Sequence, residues 1–229
     1  MEKNNTMKNK NKNKNKKIKI KILTLGNGNV GKTSFIYKFA ENYFETDTLS
    51  TTGIDNLVAN IKMPNGKEYL VNFFDTSGQE RFKLVSLTFL KKKDGIILMY
   101  DITKKSSFES IPSWMEQIKE NKGNEFPIVL CGNKCDLEEK RVISMEEGEE
   151  LAKKYGISFF EISSQNEKNL KNVGYEIINK ILEKKEKEKN DILKDFEIID
   201  KDFFELNKNE IKRYNTSYST KRKPTKCQN

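Results

Sequence analysis

The sequence predicts an α/β fold in which a mainly parallel sheet is covered by helices on both faces and binds ligands at the carboxyl ends of its strands. Three observations carry this. A glycine-rich stretch with a lysine and a threonine lies between a strand pattern and a helix pattern. Residues 95–100 and 127–132 are apolar throughout, as strands buried on both faces are. Strand and helix patterns alternate along the middle of the chain, and each polar motif falls at the end of a strand.

Taken in order, residues 1–17 are low-complexity Asn/Lys, a composition that buries nothing and predicts a disordered arm. Such an arm either meets an anionic surface or is simply solvated. Residues 18–25 alternate and then turn apolar, as a strand does. Gly26, Asn27, Gly28, Asn29, Val30, Gly31, Lys32 and Thr33 follow and fit G-x-x-x-x-G-K-[ST], the P-loop pattern. Ser34 then opens a helix with Phe35, Ile36 and Phe39 on one face. The glycines let backbone bend tightly and approach phosphate. The N–H groups and dipole of the helix start favour an anion. Lys32 can reach β- and γ-phosphates, and the Thr33 hydroxyl can take Mg2+.

Residues 40–52 are polar with scattered aromatics and predict a loop. Residues 56–63 and 68–74 read as strands joined at Asn65-Gly66, a strong hairpin signal. The second leads into Asp75-Thr76-Ser77-Gly78-Gln79-Glu80. There Asp75 is placed as a Mg2+ partner, Gly78 as an N–H donor to the terminal phosphate, and Gln79 as the residue that orients water. A helix over 81–93 precedes the strand 95–100. A helix over 106–120 puts Phe108, Ile111, Trp114, Met115 and Ile118 on one side as core. The strand 127–132 delivers Asn133-Lys134-Cys135-Asp136 at its end. A helix over 145–155, a strand over 157–162 and a helix from 166 to about 185 complete the pattern.

Composition bounds the function. The chain has 229 residues, 35% of them hydrophobic, and a net charge of +9. Its mean hydropathy is −0.79. Residues 1–21 hold nine lysines against Glu2, and residues 213–229 hold five basic residues and no acid, so the stretch between them carries −4. The basic charge belongs to the ends, which argues against a nucleic-acid binder as the whole protein's role. The absence of histidine excludes histidine catalysis, and the spacing of the three cysteines suggests no zinc site but a reduced, intracellular setting. No apolar run approaches the roughly 20 residues of a membrane span, and no signal peptide is evident.

These motifs resemble those of the Ras-superfamily small GTPases, the Rab branch most closely, over residues 18–186. The resemblance implies the P-loop GTPase fold: a six-stranded, mostly parallel sheet with one antiparallel edge strand. It implies that residues 26–34 hold the phosphates of GTP or GDP. Thr51 would bind Mg2+ with Thr33 and Asp75, and Phe44 would lie against the guanine. Asn133, Lys134 and Asp136 would read the base, with Ser163, Ser164 and Gln165 closing over it. The Asp136 carboxylate accepts from guanine N1–H and the exocyclic amine. Adenine does not present that pair of donors, so ATP is rejected by several orders of magnitude. Lys32, Thr51, Gly78 and Gln79 are the residues implied in catalysis; hydrolysis is slow because no internal arginine finger is placed. Exchange factors, activating proteins and effectors are the implied partners of a monomeric switch in vesicle traffic.

The sequence departs from the Rab pattern at several places. Asn56 stands for a phenylalanine, Phe74 for a tryptophan, Thr52 for an isoleucine, and Gln165 for a lysine. Residues 187–229 form a tail. Within it, residues 191–206 predict an acidic amphipathic helix, either packed on a surface or marginal in a linker. The end, Lys221-Arg222-Lys223-Pro224-Thr225-Lys226-Cys227-Gln228-Asn229, resembles a prenylated terminus, with one cysteine third from the end where a C-a-a-X box has it fourth. A Cys227 lipid and the basic patch would hold the protein reversibly on the cytosolic face of an intracellular membrane. The competing readings are a soluble Ran-like GTPase in nuclear transport and a GTP-binding scaffold with little hydrolysis.

Overall fold

In the computed structural model the backbone is described for residues 17–43, 56–76 and 90–219, and the side chains for all of these except 40–43 and 195–219. Six strands form one sheet: β1 (Ile18–Leu25), β2 (Asn56–Lys62), β3 (Glu68–Phe74), β4 (Gly95–Asp101), β5 (Ile128–Asn133) and β6 (Ser158–Ile162). Their order is β2-β3-β1-β4-β5-β6. Only β2 and β3 pair antiparallel, joined at the Asn65-Gly66 turn where Gly66 has φ of +77°. The other four pairings are parallel. This is the predicted Ras-like fold with its single antiparallel edge strand. β4 and β5 are buried along their whole length, as their unbroken apolar sequence requires.

Helices cover both faces. On one, α1 (Lys32–Tyr43) stacks Phe35 on Phe39 at 5.8 Å, and Phe39 meets the edge of Phe73 of β3 at 5.5 Å. Helix α5 (Leu170–Ser219) closes on the same ring, since a Cβ at Gly174 would lie 2.2 Å from Phe39. On the other face, Leu98, Tyr100 and Leu130 pack with Ile111, Trp114 and Ile118 of α3 (Ile111–Lys122) and Ala152 of α4 (Met145–Tyr155). Helix α4 carries a full capping box. Ser144 Oγ accepts from Glu147 N (3.1 Å) and Glu147 Oε2 accepts from Ser144 N (2.7 Å), while Gly156 ends the helix in the left-handed region.

Three helix boundaries differ from expectation. Helix α1 runs to Tyr43, four residues into the stretch predicted as loop. The helix predicted over 106–120 is two helices, α2 (Lys105–Glu109) and α3, parted at Ser110. Pro112 explains the break: it has no N–H for the Phe108 carbonyl, and its ring clashes with that carbonyl. Helix α5 starts at Leu170, after the turn that holds Asn169 at φ of +60°, and continues to Ser219. Its 50 residues contain no glycine after Gly174 and no proline, so nothing in the sequence stops it near 185. The helix predicted over 81–93 lies outside the described residues up to Leu90.

The chain divides into two compact units, Met1–Ile181 with the sheet and Leu182–Asn229. No helix among the described residues is long and apolar enough to cross a membrane.

Candidate functional site

The carboxyl ends of β1, β3, β5 and β6 gather the described motif residues. Between β1 and β3 the chain is laced by threonines: Thr24 Oγ1 donates to the Phe74 carbonyl (3.1 Å) and Thr76 Oγ1 to the Thr24 carbonyl (2.8 Å). This sets the P-loop beside Asp75. Two glycines in the loop are obligatory. Gly26 has φ of +138° and its Cβ would lie 2.1 Å from the Met99 carbonyl oxygen; Gly31 has φ of +97° and its Cβ would lie 2.2 Å from Asn133 Nδ2. Asn29, at φ of +65°, takes the left-handed conformation that asparagine tolerates.

Lys32 is buried, and its Nζ donates to the carbonyls of Gly26 (3.0 Å) and Asn27 (2.9 Å). The ammonium is thereby fixed inside the curl of the loop. The Thr33 hydroxyl donates to the Asp75 carboxylate, itself 8% exposed. Two hard oxygen ligands stand side by side there, a donor set that suits Mg2+ and not a soft metal.

The base side is built around Asn133. Its Nδ2 donates to the Val30 carbonyl (2.8 Å), and its Oδ1 accepts from Ser164 N (3.2 Å) and Ser164 Oγ (3.3 Å). One buried amide therefore joins the P-loop, β5 and the turn after β6. Lys134 takes the left-handed conformation, φ of +69°, and its Nζ lies 2.6 Å from Asp101 Oδ2. Burial pushes the Asp101 carboxyl up, but hydrogen bonds from Lys134 and Thr103 outweigh it and hold the group below its ordinary pKa. Asp136 Oδ1 accepts from Ser163 Oγ (2.6 Å), which in turn accepts from Asn166 N (2.9 Å). That chain fixes the orientation of the Asp136 carboxylate. Gln165 is exposed. Of the expected site residues, Phe44, Thr51, Gly78 and Gln79 lie outside the described residues, as do residues 1–16 of the arm and Cys227.

Three supporting groups escape a motif search. Asp101, which holds Lys134, ends a strand whose interest otherwise lies in its apolar run. Asn27, a variable position of the P-loop pattern, accepts from Trp114 Nε1 (3.1 Å) and donates to Ser110 Oγ (2.9 Å), tying the loop to the break between α2 and α3. Arg141 grips Glu161 through Nη1 and Nη2 (2.5 and 2.9 Å) and Glu138 through Nε and Nη2 (2.8 Å each), bracing β6 just before Ser163. Cys131 and Cys135 are buried, and burial raises both thiol pKa values, so neither is a reactive thiolate.

Residues 21–183 match the model of the Ras family. The chain belongs to that family. Among its relatives, human Ras-related protein Rab-8B is 37% identical over 166 residues, 72% of this chain and 80% of the relative. Bovine Ras-related protein Rab-13 is 43% identical over 145 residues, 63% and 71% of the two chains. Mouse Ras-related protein Rab-3C is 38% identical over 159 residues, 69% and 70%. The chain is thus a Rab-like GTPase of the Ras superfamily, as the motifs imply, and its substrate class is the guanine nucleotide. The match ends at residue 183, so most of α5 and the tail fall outside it.

Proposed function

We propose that this Rab-like GTPase is a slow, Mg2+-dependent switch of intracellular membrane traffic, ordered by GTP and released on hydrolysis. The observation that supports this reading most directly is the Asn133 amide, which joins the phosphate loop to the base-side turn beside a carboxylate poised for guanine donors. Lys32 and the P-loop amides neutralise charge on the transferring phosphoryl group, and Gly26 and Gly31 permit the close approach this needs. Thr33 and Asp75, with Thr51, would hold Mg2+, which when bound neutralises phosphate oxygens. Gln79 orients the attacking water, and Gly78 and Thr51 sense the γ-phosphate. Asp136, Ser163 and Ser164 read guanine, with Lys134 and Phe44 along its ring and Gln165 at the rim.

An exchange factor, an activating protein that supplies an arginine, and effectors are the partners of such a switch. A lipid on Cys227 with the basic end would place it on the cytosolic face of a membrane. The decisive experiment is single-turnover hydrolysis of GTP by the full chain and by Gln79→Leu. A loss of at least about tenfold in rate at unchanged GDP affinity is expected. Equal rates, or slow turnover of neither, would instead support a scaffold. Intact mass of protein from its own cells tests the anchor: an unmodified Cys227 removes it.

A further inference from the structure

Along helix α5, positions 192, 196, 199, 203 and 206 are Ile, Phe, Ile, Phe and Leu. Spacings of four, three, four and three residues lay these on one stripe of an α-helix, the pattern of a seam between helices. Ile192, the first of them, is 55% exposed, and Leu193 beside it is 51% exposed. The acids are not spread evenly around the helix. Asp195, Asp200 and Asp202 occupy the positions that border the stripe, whereas Lys194 and Lys201 fall on the opposite side. Between 192 and 206 no basic residue borders the seam.

The border decides the occupant. A second copy packed in parallel sets Asp195 against Asp200, and an antiparallel copy again sets aspartate against aspartate; like charges at these positions oppose pairing. An anionic membrane is repelled by the same residues. The chain's own basic N-terminal arm offers lysines but only Met1 and Met7 as apolar residues before Ile18, so it has no stripe to fill the seam. From the seam and its acidic border we infer that residues 191–206 dock a helical partner whose own apolar stripe is bordered by Lys or Arg.

The test uses the full chain and two designed four-heptad peptides with the same Ile/Leu seam, one bordered by Lys and one by Glu. Fluorescence anisotropy should give a Kd of order 10 μM for the Lys peptide and binding at least about tenfold weaker for the Glu peptide. The triple variant Asp195→Lys, Asp200→Lys, Asp202→Lys should reverse that preference, and Phe196→Asp with Phe203→Asp should abolish binding of both. Helical content by circular dichroism and GDP affinity, measured on each variant, keep a folding defect separate from a lost contact. Equal binding of the two peptides, a dimer in sedimentation, or uptake by vesicles of neutral lipid each overturns the inference.

Discussion

The Asn133 side chain spends every hydrogen bond described for it on other loops. Asn133→Ala leaves the Val30 carbonyl and the Ser164 N–H without their partner in a buried setting, at about 1–3 kcal/mol each. A lower melting temperature and a GDP affinity reduced at least about tenfold are expected from thermal shift and fluorescent-GDP titration. Unchanged affinity would show that the base-side turn holds itself. Lys93 makes a different prediction. It is 7% exposed with Nζ 2.8 Å from the centre of the Phe74 ring. The ring favours the cation. Burial first, and then Lys21, Lys122 and Lys92, nevertheless bring its pKa down to about 8. The unfolded chain therefore binds more protons between about pH 8 and the ordinary value of 10.5, and stability contributed by this group rises with pH across that window. The melting temperature of the native protein should climb relative to Lys93→Met over those pH values; parallel curves would refute it.

At the scale of elements, the break between α2 and α3 is part of the site. Ser110, at the break, and Trp114, one turn further on, both reach Asn27. Asn27→Ala frees the loop from α3, and GDP dissociation is expected to quicken several-fold, by roughly 1 kcal/mol for each lost bond, while the fold stays intact. Stopped-flow release measures it. Arg141→Ala leaves the buried Glu161 carboxylate unpaired. Removing one partner of a buried pair costs about 3–5 kcal/mol, and the outer part of Arg141 is wet, so a loss nearer 2 kcal/mol is expected in urea unfolding. These elements also show what sequence can say. The Asn65-Gly66 turn, the alternation of β1 and the apolar β4 and β5 are local patterns, so their strands could be read directly. The anchoring of Asn27, Lys134 and Arg141 joins residues 20 to 87 positions apart, and no local period encodes such a contact. Helix α5 joins the helix expected to end near 185 to the one expected over 191–206, because the charged stretch between them holds no stop signal.

For the whole molecule, the site exists only where four strand ends converge, so ligand and fold are linked. With GDP and Mg2+ at a thousandfold excess over Kd, mass action adds about 4 kcal/mol to stability, and chelation of the metal should return most of it in a melting experiment. The motifs told in advance which strand ends would meet, because a parallel sheet aligns those ends by construction. They could not tell which side chains would span the gaps. The strand order has a further consequence for the chain as it is made. β1 emerges first, yet its sheet partners lie at residues 69–74 and 95–98, and the amide that secures Val30 is 103 residues downstream. A nascent chain halted before Asn133 has its phosphate loop in full but lacks the amide that ties Val30 to the turn after β6. Nucleotide is therefore expected to stabilise the domain in full only after β5 and Ser164 have left the exit tunnel.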